Sequence, residues 1–240
     1  MARVIVSNDV PTRFAALIHD ALERDTLVAL SGGSTILALL DALGPSLPRT
    51  GTIAQVDERL VEPGSPEANW THLGPVLTGR GPALLPMVDA DALTPADLAT
   101  LATEDPATVP KLADRLAARY GAQLESRPTW GLVHLGIGAD GHTASLFPGS
   151  PGLDASGLVT PNHDPSGHNR HWRLSLTRDA LARFETQVIV ALGASKATIV
   201  AAALGGADLP VVHVTRDDTI WLLDSAAASA LDPSIVSHDG

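Results

Sequence analysis

The stretch "GIGADGHTASLFPG", residues 136–149, follows the strand-like run "WGLVHLG" (130–136) and contains a formal G-x-G-x-x-G. A dinucleotide-binding turn of that form requires a helix after its third glycine, then a second strand with an acid about 20 residues on. Here the interval reads "LFPGSPGLDASGLVTPNHD", whose prolines and glycines do not build a crossover helix. The glycine pattern is therefore coincidental, and the residue of chemical interest is His142, which follows Gly141 directly. Imidazole exchanges protons near neutral pH. An Asp-Gly-His on a glycine loop beyond a strand is a poor use of packing but a good place for a proton carrier. A capping or core histidine bonded to Asp140 would use the same residues.

Outward from this stretch, strands and helices alternate. Residues 2–6 read as a strand, and Phe14, Leu17, Ile18 and Leu22 fall at helical spacing behind "NDVP", a cap with an early proline. Strand "TLVAL" (26–30), helix "ILALLDAL", strand "TIAQV" (52–56) and a helix near "WTHLGPVL" follow. Leu112, Leu116, Tyr120 and Leu124 mark another helix before 130–136. Strand "WRLSL" (172–176), "TQVIVAL", "ASKATIVAAAL", "PVVHV", "TIWLL" and a short helix "SAAASAL" complete the chain. The pattern predicts an α/β fold with a largely parallel sheet covered by helices on both faces. One domain over 1–240 is expected, with residues 89–110 as a small helical insert and 147–169 as an irregular loop over the site.

In such sheets ligands sit beyond the carboxyl ends of the strands, so the residues directly after each strand carry the chemistry. "SGGST" (31–35) opens a helix, and its glycines let backbone N–H groups approach an anion while Ser34 or Thr35 caps and contacts it. A tight turn with a serine cap would look the same, and no G-K-[ST] follows to make a P-loop. Asp57, Glu58 and Arg59 leave a strand consecutively, placing Asp57 and Arg59 on one face and Glu58 on the other. Lys196 lies in the first turn after "LGA", whereas Arg173 begins a strand and is assigned to the wrong end of the sheet. His163, His168 and His171 are read as exposed loop residues rather than a metal site, because their loop offers no ordered scaffold and no H-E-x-x-H.

Composition narrows the partners. The 240 residues carry 16 Lys+Arg against 27 Asp+Glu, a formal charge of -11, which argues against nucleic acid. With no cysteine there is no disulfide, thiolate metal site or cysteine nucleophile. The start "MARVIVSNDV" lacks the apolar core of a signal peptide, and no apolar run approaches the ~20 residues that span a bilayer. The expected address is the cytosol, with no membrane partner.

These segments, in this order, resemble the 6-phosphogluconolactonase family. "LSGGST", "VDERLVE…EAN", "LGIGADGHTASLFPG", "LGASKA" and "WLLDSAAA" match that family's blocks over residues 27 to 227. The resemblance implies a modified Rossmann-like fold and hydrolysis of 6-phospho-D-glucono-1,5-lactone without cofactor or metal, by a monomer or homodimer whose partner is a small sugar phosphate. Carried over by position, His142 matches the general base, while Asp57, Arg59, Asn69, Gly32, Gly33, Thr35 and Lys196 match the surrounding site. Asp140 or Asp57 then orients the imidazole, a choice the sequence leaves open. Two departures concern loop geometry: Glu62 stands before Pro63, and "GHNRHWRLSLT" replaces a Lys-Pro-rich approach to its strand. The related glucosamine-6-phosphate deaminases carry a glutamate before the loop proline where this chain has Phe147, and commonly a tyrosine at the position of Arg59. The alternatives are an amino-sugar-phosphate isomerase or deaminase, and a non-catalytic sugar-phosphate sensor.

Overall fold

The computed structural model describes residues 3–238, apart from the side chains of Ser34, Ser237 and His238. The chain opens with β1 (Arg3–Val6), α1 (Val10–Glu23), β2 (Leu27–Leu30), α2 (Ser34–Leu40), β3 (Thr52–Gln55) and the short β4 (Asp57–Arg59). Next come α3 (Asn69–Leu77), β5 (Ala83–Leu85), α4 (Pro95–Thr103), α5 (Val109–Glu125) and β6 (Trp130–Leu135). They are followed by β7 (Val159–Asn162), β8 (Arg173–Leu176) and α6 (Arg178–Ala182). The remainder holds β9 (Thr186–Ala191), α7 (Ala197–Leu204), α8 (Pro210–Val214), β10 (Ile220–Leu223) and β11 (Ser237–His238).

Eight of these strands form one parallel sheet in the order β11-β1-β10-β9-β6-β2-β3-β5. Its strands are apolar on both sides because both faces are covered. In β2, Val28 and Leu30 pack toward Phe14 and Ile18 of α1, Ile36 and Leu39 of α2 and Leu73 of α3. The alternate residues Leu27 and Ala29 join a second core with Leu116 and Tyr120 of α5, Val200 of α7 and Val211 of α8. Each fully buried Leu, Ile or Phe contributes roughly 1.5–3 kcal/mol. Local signals place the helix starts: Asp9 caps α1 through Thr12 N at 3.1 Å, and Thr94 with Asp97 forms a capping box on α4.

After β2 the chain proceeds to β3 on one side, while after β6 it proceeds to β9 on the other. The crevice between the ends of β2 and β6 is therefore the topological switch point, where open α/β sheets bind ligands. Val56 marks the departure from the sheet. Its N–H donates to Leu30 O at 3.0 Å in the parallel sheet, and its carbonyl accepts from Leu176 N at 2.9 Å. Beyond it, Asp57–Arg59 belongs to a second, antiparallel sheet of order β4-β8-β7.

Two expectations need correction. Residues 147–169 are not wholly irregular, because Val159–Asn162 forms β7, an edge strand that tolerates Pro161. "SAAASAL" is a run of turns rather than a helix, with Asp224 accepting from Ala227 N at 2.7 Å and from Gly193 N. Residues 89–110 hold a short 3-10 turn (Ala90–Ala92) and α4, whose Leu101 joins the core with α5. No described helix is long and apolar enough to cross a membrane.

Candidate active site

A cleft of about 240 Å³ lies at the switch point. The sequence-derived candidates Gly32, Gly33, Thr35, Asp57, Arg59, Asn69, His142 and Lys196 all line it. Asp140 stands behind His142, and the side chain of Ser34 lies outside the described residues. Arg173 also lines the cleft, which corrects its assignment to the wrong end of the sheet. Because β8 runs antiparallel in the second sheet, its first residue faces the carboxyl ends of the parallel strands.

The loop after β6 is shaped to present the histidine. Gly138 N donates to His142 O at 2.8 Å, and Gly141 N donates to Gly138 O at 3.0 Å. Gly141 has a φ of +80°, and a Cβ at Gly138 would collide with His142 Nδ1 and Asp140 Oδ1. His142 Nδ1 lies 2.6 Å from Asp140 Oδ1, which also accepts from the His142 amide at 3.1 Å. Nδ1 therefore carries the proton given to the carboxylate, and the lone pair at Nε2 is the one left for chemistry. The His142 ring sits against buried Phe147, with centroids 4.9 Å apart.

Asp57 does not touch His142 through any hydrogen bond. It is buried, and its Oδ2 accepts from Ser145 Oγ at 2.6 Å, with Arg173 Nη1 at 3.8 Å. Ser145 is fixed in turn by Asn162 Nδ2, which donates to its carbonyl at 2.7 Å. Asn69 packs over Gly32, where a Cβ would strike its amide, and donates from Nδ2 to Asp57 O at 3.0 Å. Glu58 points away from the cleft and supplies the missing cap of α3, accepting from Asn69 N and Trp70 N at 2.7 Å each. Burial raises the Glu58 pKa, opposed by these bonds and by those from Gln55 and Arg59 N.

Three cations face the cleft. Lys196 precedes α7 and donates from Nζ to Ile137 O at 2.7 Å. Arg59 and Arg173 are direct cross-strand partners in the β4–β8 pair, an arrangement that places like charges opposite one another. Arg59 donates from Nη1 to Glu67 O at 2.6 Å, and Arg173 reaches Asn169 Oδ1 at 3.3 Å and Ser145 Oγ at 3.4 Å. Each keeps a buried Nε–H with no partner among the described residues. Burial lowers the Arg173 pKa and so does the charge of Arg59, with Asp57 acting the other way. His134 also borders the cleft, buried and with both ring nitrogens unpartnered among the described residues.

The histidines set aside as a loop cluster do not converge, and the described residues contain no group of three or more His, Cys, Asp or Glu placed to hold a metal. His163 and His168 are exposed as expected, but His171 is buried, a correction explained by its two carboxylate partners, Glu67 and Glu104.

Comparison with known proteins identifies the family. The family model described as Glucosamine-6-phosphate isomerases/6-phosphogluconolactonase matches residues 4–221. A 6-phosphogluconolactonase of Bos taurus is 34% identical over 239 residues, covering 93% of this chain and 87% of its own. One of Streptomyces coelicolor is 31% identical over 227 residues, covering 87% and 83%. The solved structure of the 6-phosphogluconolactonase from Trypanosoma brucei superposes with a TM-score of 0.75 at 26% identity, covering 97% of this chain and 98% of that one. The chain thus belongs to the glucosamine-6-phosphate isomerase/6-phosphogluconolactonase family, among its 6-phosphogluconolactonases.

Proposed function

We propose that this protein hydrolyses 6-phospho-D-glucono-1,5-lactone to 6-phospho-D-gluconate, the second step of the oxidative pentose phosphate pathway, with His142 as general base and no cofactor. The observation that carries the reading is the opposed Arg59–Arg173 pair with its two unpartnered Nε–H groups. A buried donor left unpaired costs about 1–3 kcal/mol, and the two like charges add to that. A phosphate dianion between the guanidiniums relieves both penalties, which a neutral ligand cannot do. Lys196, on the other rim, is free to use its remaining N–H donors on a sugar hydroxyl or on the same phosphate.

A lactone is an activated ester, so the reaction needs an aimed water and stabilisation of the developing charge. His142 Nε2 takes a proton from the water as its oxygen bonds to the carbonyl carbon, and Asp140 stabilises the imidazolium that forms. The carbonyl oxygen of the tetrahedral intermediate is assigned to backbone N–H groups of the Gly32–Gly33 turn at the start of α2. On collapse the ring C–O bond breaks, and the imidazolium returns its proton to the departing ring oxygen. Asp57, held by Ser145 and Arg173, is assigned to substrate hydroxyls rather than to the imidazole.

Deamination of an amino sugar phosphate is disfavoured by Phe147, which is buried between the His142 ring and the Arg173 guanidinium, 5.3 Å from the latter. An apolar ring transfers no proton to assist sugar-ring opening. The deciding experiment follows lactone disappearance by NMR against its spontaneous hydrolysis, with ammonia release from glucosamine 6-phosphate measured in parallel. Turnover of the lactone without ammonia is expected. Ammonia release at a comparable rate, or binding without turnover, would overturn the assignment.

A further inference from the structure

Outside the cleft, a buried imidazole in the loop before β8 meets the loop that follows β4 and the end of α4. His171 Nδ1 lies 2.8 Å from Glu104 Oε2, and its Nε2 lies 2.8 Å from Glu67 Oε2. Glu104 is anchored at the end of α4, as a C-cap with a φ of +48°. Glu67 offers two separate groups: its carboxylate meets His171, while its backbone carbonyl receives the 2.6 Å bond from Arg59 Nη1. His171 itself stands two residues before Arg173, and the carbonyl of Trp172 between them accepts from Leu60 N at 2.8 Å, continuing the pairing of the strands.

This geometry decides where Arg59 can rest. Arg173 stands opposite it as a like charge, and the Glu67 carbonyl is the hydrogen-bond acceptor of the Arg59 guanidinium among the described residues. Glu67 lies in a loop between β4 and α3, so the position of its carbonyl depends on what holds its side chain. Arg170 also bonds that carboxylate, at 3.0 and 3.2 Å, but its side chain is 70% exposed, where ion pairs are weak. His171 is 7% exposed, with Arg170 Nε also 3.1 Å from its Nε2, and its contact lowers the Glu67 pKa more than that of Arg170 does, so it carries the larger share of the grip on Glu67.

We propose that His171 is a positioning residue for phosphate recognition. Through Glu67 it fixes the carbonyl that holds Arg59, and from the loop two residues before Arg173 it fixes the entry of that residue into β8. The separation of the two guanidiniums, and with it the preference for a phosphorylated over an unphosphorylated lactone, is set from outside the cleft. The inference rests on the lactonase reading above and deepens it.

The test measures kcat/KM for 6-phosphogluconolactone and for unphosphorylated gluconolactone on the same preparation, so that any inactive fraction cancels in the ratio. For His171→Leu the ratio is expected to fall about tenfold, through a raised KM for the phosphorylated lactone, since small misplacements of a binding group cost factors of this order. Glu67→Gln keeps the carbonyl but weakens the grip on it, so a smaller fall in the same direction is expected; being half-exposed, it decides the matter if His171→Leu does not fold. His171→Gln, which retains one donor, should restore part of the ratio. An unchanged ratio in both His171→Leu and Glu67→Gln, including a parallel loss on both substrates, overturns the role of His171. A wild-type protein with no preference for the phosphorylated lactone would instead overturn the phosphate site, and this inference with it.

Discussion

Replacing His134 by leucine should make the protein more stable, and increasingly so as the pH falls. His134 lies at the end of β6, 1% exposed, with its ring 5.0 Å from that of Phe14 and neither nitrogen bonded to a described residue. Leucine fills a similar volume without polar atoms, so relief of the unsatisfied groups contributes about 1–3 kcal/mol near pH 8. For a chain of this length each kcal/mol raises Tm by about 2–4 °C. Burial also pushes the His134 pKa down to about 3, against roughly 6.5 in the unfolded chain. Between those values the unfolded state binds the extra proton, so wild-type stability falls as pH drops through the window. By about pH 5 the loss from this group is ~2 kcal/mol, from 1.5 pH units at 1.36 kcal/mol each. His134→Leu lacks it, while the carboxylates shared by both proteins cancel in the comparison. Urea titrations followed by tryptophan fluorescence near pH 8 and pH 5 measure both quantities. A variant less stable than wild type near pH 8 would refute the claim that the ring is unsatisfied. An advantage that does not widen by pH 5 would refute the claim that it stays neutral when folded.

Other substitutions address the chemistry directly. His142→Ala should lower kcat by ~10²–10⁴ while 6-phosphogluconate still binds, as calorimetry would show; unimpaired turnover would remove His142 from the mechanism. Gly138→Ala should approach that loss without touching a functional side chain, because its Cβ enters the space of the Asp140–His142 pair, and a fully active variant would mean that the pair is dispensable. Inorganic phosphate should raise the Tm of wild type more than that of Arg173→Ala or Arg59→Ala, and equal shifts would move the phosphate site elsewhere.

The segments that follow parallel strands are legible in the sequence because chain direction alone places them at one edge of the sheet. That is why the glycine turn at 32–33, Asp57, Arg59, His142 and Lys196 can be grouped from strand order, and they do line one cleft. The same logic misplaces Arg173, since it holds only for strands in the parallel sheet and β8 is antiparallel in the second one. Alternation along β4 correctly turns Glu58 away from the cleft, but its service to α3 is invisible because Ala68, at the cap position, gives no local signal. The burial of His171 is hidden for a related reason. Its partners Glu67 and Glu104 lie far away in sequence, and a histidine among polar loop residues carries no periodicity to reveal them.

Val56, bonded to one sheet by its amide and to the other by its carbonyl, leaves the chain no slack between Thr52 and Arg59. Removing or adding one residue there would turn each following side chain to the opposite face, directing Glu58 into the cleft and Asp57 and Arg59 into the packed interior. The stretch behaves as a ruler, intolerant of a changed count whatever its side chains do. Loops such as 61–65 can lengthen without resetting it. Insertions compatible with this site are therefore confined to its rim, and the distance from Thr52 to Arg59 along the chain is a fixed dimension of the active centre.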